Sequence, residues 1–244
     1  MKRKMLVAAM ALCAMMVFSS FTVMAQSVAG SLSVPQEWND SAQARLLMER
    51  FERDRGRPRE RDERTRALSA FSTVRVNVHV VVDQHWVTRH GNTYRWEALD
   101  SIFDGGDFYW QHYGIDIRGN SAISRWTSPD SDNASLLLLN AMNNHGLGGS
   151  GNRLMAAFTG RDTLIHGGGV VDGLAQEGRW GFIIRERGWR INNATVRHEI
   201  GHNYGLPDHP RSGTIRCFMR HPTDNFDNIC NNCNNWMTRN RNRF

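Results

Sequence analysis

From Thr73 onward, period-two stretches and helical stretches take turns along the chain. "VRVNVHVVVD" (74–83) alternates and then runs apolar with β-branched residues, which predicts a strand with one face well buried. "RWEALDSIFDGGDFYWQHYG" (95–114) predicts a helix with Trp96, Leu99, Ile102 and Phe103 on one face, weakened in its middle by Gly105-Gly106, where a bend is expected. "IDIRGNSAISRW" (115–126) returns to strand, and "NASLLLLNAMNNHG" (133–146) is a short helix that Gly146 ends. "NRLMAAFTG" (152–160) and "GFIIRE" (181–186) are further strands with a Gly-rich loop between them. "NNATVRHEIGHNYG" (192–205) is a helix that Gly205 and Pro207 stop. A mixed twisted β-sheet with one long backing helix and a late, separate helix predicts an α+β domain over 73–244.

The first 72 residues differ in kind. Residues 1–25 carry a basic tip (Lys2, Arg3, Lys4), an apolar run and Val23-Met24-Ala25 before Gln26, the layout of a secretory signal peptide cut after Ala25. The expected product is secreted or periplasmic, with no membrane contact after cleavage. Removing these residues takes away three cations and no acid, so the formal +6 falls to +3 and no lysine remains. Residues 26–72 are polar and charged, a pro-segment or linker. Eight arginines between Arg50 and Arg66 are interleaved with five acids, and Phe51 is the one aromatic among them. Nucleic-acid binding would pair basic residues with stacking aromatics, so this stretch reads as a solvated face and no nucleic-acid partner is expected.

The chemistry concentrates in "HEIGHNYGLPDH" (198–209). His198 and His202 stand one helical turn apart, so both imidazoles leave the same face, about 5–6 Å apart at Cβ. That separation allows a nitrogen of each to lie about 2.0–2.1 Å from a shared zinc ion, the expected cofactor. Glu199 is rotated off the ligand face, where it can reach a zinc-bound water and act as general base in peptide-bond hydrolysis. Gly205, Leu206 and Pro207 then bend the chain back where a third ligand is needed. No glutamate follows Glu199, which excludes a third ligand of that type from a later helix. Asp208 and His209 are the two candidates.

"HEIGHNYGLPD" followed by "CFM" resembles the metzincin clan of zinc endopeptidases, whose pattern is HExxHxxGxx(H/D) plus a later methionine turn. The likeness runs over about residues 73–233 and includes "AFTGRDTLIHGGGVVDGLAQEGRWGFIIRE", similar to the strand, loop and substrate-edge strand before the metzincin active-site helix. It implies a single zincin-like catalytic domain in which His198, His202 and Asp208 bind zinc, Glu199 is the general base, and Met219 lies under the zinc. The aspartate and "GLPDH" resemble the snapalysin group most. "CFM…CNNC" is similar to the archaemetzincins, whose cysteine cluster holds a second zinc. Archaemetzincins, however, have a histidine and then a cysteine where this chain has Asp208 and His209. Several metzincins also place a tyrosine two residues after the methionine, where this chain has His221.

Cys217, Cys230 and Cys233 remain after signal removal. Export favours a disulfide from Cys217 to one of the other two. The alternative is a second zinc on all three plus a histidine such as His221. His79, within the first strand, is expected to be a satisfied sheet residue. The expected function is a secreted, monomeric zinc endopeptidase acting on protein or peptide substrates. The alternative is a zinc-binding module that recognises protein without cleaving it, against which the intact Glu199 speaks.

Overall fold

The computed structural model describes residues 73–120, 122–149, 151–210, 214–221 and 227–244. All lie in one compact unit, Ser41–Phe244. The signal-peptide and pro-segment expectations fall outside the described residues. Among those described, no helix is long and apolar enough to cross a membrane.

The elements in chain order are β1 (Val74–Asp83), α1 (Gln84–His90), α2 (Tyr94–Tyr113), β2 (Ile115–Gly119), β3 (Ser124–Trp126), α3 (Ala134–His145), β4 (Asn152–Thr159), β5 (Ile165–His166), β6 (Gly169–Val170), β7 (Gly173–Ala175), β8 (Gly181–Arg185), α4 (Trp189–Asn203) and α5 (Asn231–Asn240). The main sheet runs β2-β1-β4-β8-β7, with β3 continuing beside the end of β1. Every pairing in it is parallel except β7 with β8. β5 and β6 form a separate antiparallel hairpin.

This is a mixed α/β fold rather than the expected α+β arrangement. Crossovers through α2 and α3 return the chain to the same end of the sheet, which makes the strands parallel. Parallel strands are covered on both faces. Val76, Val78, Val80 and Val82, with Leu154, Ala156, Phe158, Phe182 and Ile184, pack in one core with residues of α2 and α4. The alternate residues Val81, Met155, Ala157 and Ile183 join Leu137, Leu138 and Ala141 of α3 in a second. The apolar second half of β1 therefore serves both faces, whereas its alternating first half serves one.

Gly105-Gly106 does not bend α2. A Cβ on Gly105 would lie 2.7 Å from Val196 Cγ1 and 2.9 Å from the Asn193 oxygen, and one on Gly106 would lie 2.8 Å from Ile117 Cβ. The glycines let α2 wedge between α4 and β2 at backbone distance. Tyr109, fully buried on α2, donates from its hydroxyl to the Arg197 carbonyl at 2.5 Å. α4 is thus held by both contact and hydrogen bond.

Two short helices escape the hydrophobic pattern. α1 begins because Asp83 accepts the Trp86 N–H at 2.7 Å as an N-cap. α5 has an Asn-rich sequence of low helix propensity, but Cys233 and Met237, four apart, are buried together. Trp236 Nε1 on the same helix donates to the Tyr204 carbonyl at 2.8 Å and so ties α5 to the end of α4. His79 is satisfied as expected, with Nε2 2.8 Å from Ser124 Oγ and Nδ1 3.3 Å from the Gly146 carbonyl.

Candidate metal centre

α4 has no capping side chain at Gly188, whose φ is 84°. Glu186 replaces one by accepting the Gly188 N–H at 2.6 Å, and Asn192 Oδ1 accepts the Arg187 N–H at 2.9 Å. Hydrogen bonds from His90, Gly188 and Asn192 hold the Glu186 carboxyl below its usual range although burial opposes this. The helix then buries Val196, His198, Glu199 and Ile200 against α2 and the sheet. It ends at Tyr204, and Gly205 takes φ 88°, the left-handed turn the sequence calls for.

His198 Nδ1 lies 3.1 Å from the Phe218 carbonyl, and His202 Nδ1 lies 2.8 Å from the Leu206 carbonyl. Each Nδ1–H donating to its carbonyl leaves Nε2 as the free donor atom, the usual arrangement behind metal-binding histidines. The two Nε2 atoms stand 3.0 Å apart, with Asp208 Oδ1 3.0 Å from His198 Nε2 and 3.5 Å from His202 Nε2. Those edges match a tetrahedral zinc site, whose ligand atoms about 2.0–2.1 Å from the ion lie roughly 3.3 Å apart. Three lone-pair-bearing atoms at this spacing repel one another unless a cation or proton sits among them, so the set fits the zinc expected from the sequence.

Burial works to lower the His202 value, but the hydrogen bond to Asp208 and the charges of Glu199 and Asp208 outweigh it and push it up to about 9. Asp208 shows the reciprocal effect: partial burial opposes ionisation, yet bonds to His198 and His202 hold its carboxyl far below the usual range.

Glu199 is 3% exposed, and its Oε2 has no hydrogen-bond partner. Burial pushes its carboxyl up, against the neighbouring histidine charges and the Ala175 N–H. Leaving a buried carboxylate oxygen unpaired is costly, and such atoms concentrate where chemistry uses them. β7, to which Ala175 belongs, is an edge strand of the sheet and lies beside this carboxylate.

Of the two residues proposed for the third position, only Asp208 joins the histidines. His209 points into a second group, its Nε2 3.2 Å from both Cys230 Sγ and Cys233 Sγ. With Cys217, these four donor atoms lie within 4.8 Å of one another. The expected disulfide is not formed: all three cysteines are free thiols. Four soft and imidazole donors fit zinc, and the histidine among them is His209 rather than His221. A hydrogen bond from Cys233, with backbone N–H bonds from Cys230 and Met219, brings the Cys217 thiol down against the effect of burial, while the same bond pushes Cys233 up. Sequence reasoning named the cysteines and missed His209, because adjacent residues gave no sign that the turn sends them in opposite directions.

Met219 is fully buried, and its sulfur fills the space that a Cβ on Gly201 would need.

No protein-family profile and no curated protein matches the sequence. Among solved structures, the chain is similar to the archaemetzincin of Methanopyrus kandleri, at 18% identity and TM-score 0.50 over 68% of this chain and 96% of that one. This likeness bears on the fold. Two further structures have TM-scores of 0.42 and 0.45: the Archaeoglobus fulgidus archaemetzincin complexed with malonate (13% identity, 66% and 99% covered) and a zinc-dependent peptidase from Methanocorpusculum labreanum (12%, 66% and 99%).

Proposed function

We propose that the chain is an exported zinc metalloendopeptidase. The observation that carries this reading is the convergence of His198 Nε2, His202 Nε2 and Asp208 Oδ1 beside the buried, half-unpaired carboxylate of Glu199. The archaemetzincin-like fold supports it, and the basic tip and apolar run of residues 1–25 support export.

His198, His202 and Asp208 would hold zinc, which when bound supplies Lewis acidity to a substrate carbonyl and acidity to a coordinated water. An extended peptide would add to the sheet along the open edge of β7, with its backbone groups paired to those of Gly173–Ala175 other than the Ala175 N–H, which Glu199 takes. The scissile bond then lies next to Glu199. Glu199 Oε2 takes the proton of the attacking water and returns it to the leaving amine. Its raised pKa suits both halves of that exchange, because a carboxyl nearer neutrality accepts and releases a proton with less imbalance. The Ala175 N–H holds the carboxylate in place during the transfer. A module that only bound protein would gain nothing from burying an unpaired carboxylate.

The test is casein cleavage and metal content of purified protein with and without chelator, repeated on Glu199→Gln. Cleavage that stops on chelation and in Glu199→Gln, with metal retained in the variant, supports the reading. Metal lost in proportion to activity would make Glu199 a ligand and overturn its role.

A further inference from the structure

Asp208 and His209 are neighbours in the chain, yet their side chains enter different clusters. Asp208 Oδ1 sits 3.0 Å from His198 Nε2, while His209 Nε2 sits 3.2 Å from two cysteine sulfurs. One peptide bond joins the two ligand sets. A second connection runs through Cys217, Phe218 and Met219. Cys217 belongs to the thiol cluster. The Phe218 carbonyl orients His198 at Nδ1, and the Met219 carbonyl accepts the His209 N–H at 2.8 Å. Met219 also packs its sulfur beneath Gly201, between His198 and His202 on α4.

We propose that the His209/Cys217/Cys230/Cys233 cluster is a positioning site for the His198/His202/Asp208 site, so that the two fill in order and cooperatively. This rests on the reading of the histidine–aspartate set as a metal site. Asp208 is the ligand that needs positioning. Its side chain is 72% exposed, and residues 207–210 belong to no helix or strand. Behind it, the Leu206 N–H bonds the Gly201 carbonyl at 3.0 Å; ahead of it stands His209. With a cation in the thiol cluster, His209 is clamped to Cys217 and to the start of α5. The conformational freedom of the 207–210 segment is then already lost when the second cation arrives, and the Phe218 carbonyl is already set behind His198. The entropy of ordering those residues no longer opposes the second binding step. Thiolates are also the stronger zinc ligands, which puts the cysteine site first in the order. By thermodynamic linkage, filling the histidine–aspartate site must tighten the cysteine site by the same factor.

Cobalt(II) titration of the reduced, metal-free full chain separates the two sites, because thiolate ligation adds intense charge-transfer absorption that two imidazoles and a carboxylate do not. The charge-transfer band should be complete before the weaker d–d bands of the second site grow. In His209→Ala the histidine–aspartate site should bind at least tenfold more weakly than in the native chain. His202→Ala should leave the first, charge-transfer step of the titration unchanged, whereas the fully loaded native chain should hold its cysteine-site cobalt against chelator more tightly than His202→Ala by a matching factor. Inserting Gly-Gly between Asp208 and His209 retains all seven ligands, so both sites should still bind cobalt while the coupling factor falls. Equal histidine–aspartate affinity in the native chain, His209→Ala and the insertion variant would overturn the coupling and leave the metallopeptidase reading intact. Absence of cobalt from the histidine–aspartate site in every chain would overturn that reading, and the coupling with it.

Discussion

Gly173 lies against Glu199 so closely that a Cβ on it would stand 2.6 Å from Glu199 Oε1, with Thr195 Cγ2 at 2.7 Å. β7 and the Glu199 carboxylate share one volume. Room, rather than an unusual backbone angle, requires glycine at this place, and Ala175 two residues along supplies an N–H to the same carboxylate.

Gly173→Ala should therefore push the Glu199 carboxylate off its position or lift β7 from α4. On the proposed role of Glu199, either change removes proton transfer without touching His198, His202 or Asp208. The expected result is a fall in kcat of at least about tenfold, roughly 1.4 kcal/mol of transition-state stabilisation, with zinc content unchanged. Gly169→Ala is the control, since a Cβ there meets only the His166 carbonyl at 3.9 Å. Equal peptidase rates in the two variants would show that the strand yields freely and that Glu199 is not held by it.

The division of Asp208 and His209 between two clusters predicts metal counts. Native mass spectrometry of the reduced protein should find two zinc ions in the native chain. Asp208→Ala should keep one, on the cysteines, and lose hydrolysis. Denatured in chelator, the native chain freed of residues 1–25 should titrate three thiols, as free Cys217, Cys230 and Cys233 require. One thiol and no second zinc would restore the disulfide expected from export alone.

How much of this was legible in the sequence differs from residue to residue. β1 was readable because its valines alternate, and α4 because its histidines, Gly205 and Pro207 each constrain the chain locally. The place of Asp208 beside the two histidines was readable as a register after the glycine turn. The parallel order of the sheet was not: alternation says which face is buried and nothing about strand direction, which the crossovers through α2 and α3 decide. Gly105 and Gly106 were misread as a bend for a related reason. Helix propensity counts their backbone freedom, whereas here they admit Val196 and Ile117. α5 was missed because its stability lies in Cys233, Met237 and Trp236 meeting the rest of the chain, none of which an Asn-rich stretch advertises.

Metal-free protein should lose stability as pH rises from neutral. The folded His202 value, about 9, is above the unfolded one of about 6.5, so its contribution is complete below the unfolded value and disappears as pH climbs through 9. With Asp208 largely exposed, the loss is on the order of 2 kcal/mol after solvent screening. Asp208 acts in the other direction: its depressed value gives stability above the usual carboxylate range that is lost on acidification. Calorimetry in chelator should show the Tm falling between pH 6.5 and 9.5, and zinc-loaded protein should not share that fall, because zinc displaces the His202 proton. A flat Tm in chelator would mean the His202–Asp208 pair does not form without metal.

Gly105 tests whether close helix packing governs the site as well as the fold. Alanine would favour an isolated helix over glycine by about 1 kcal/mol. Here its Cβ would meet Val196 Cγ1 at 2.7 Å and the Asn193 oxygen at 2.9 Å, and the second of these is backbone that no rotamer change can move. Overpacking of this kind costs about 1–3 kcal/mol, so Gly105→Ala should be destabilising on balance despite the propensity gain. The strain has one direction of relief, which is to slide α4 away from α2. Val196 is two residues before His198, and Tyr109 of α2 bonds the Arg197 carbonyl between them, so a shift of α4 displaces the first ligand. The expected signature is a lower Tm together with weaker zinc binding at the histidine–aspartate site, while the cysteine site keeps its cobalt charge-transfer band. A variant as stable as the native chain, with unaltered zinc affinity, would show that α2 gives way instead and that the ligand geometry does not depend on this contact.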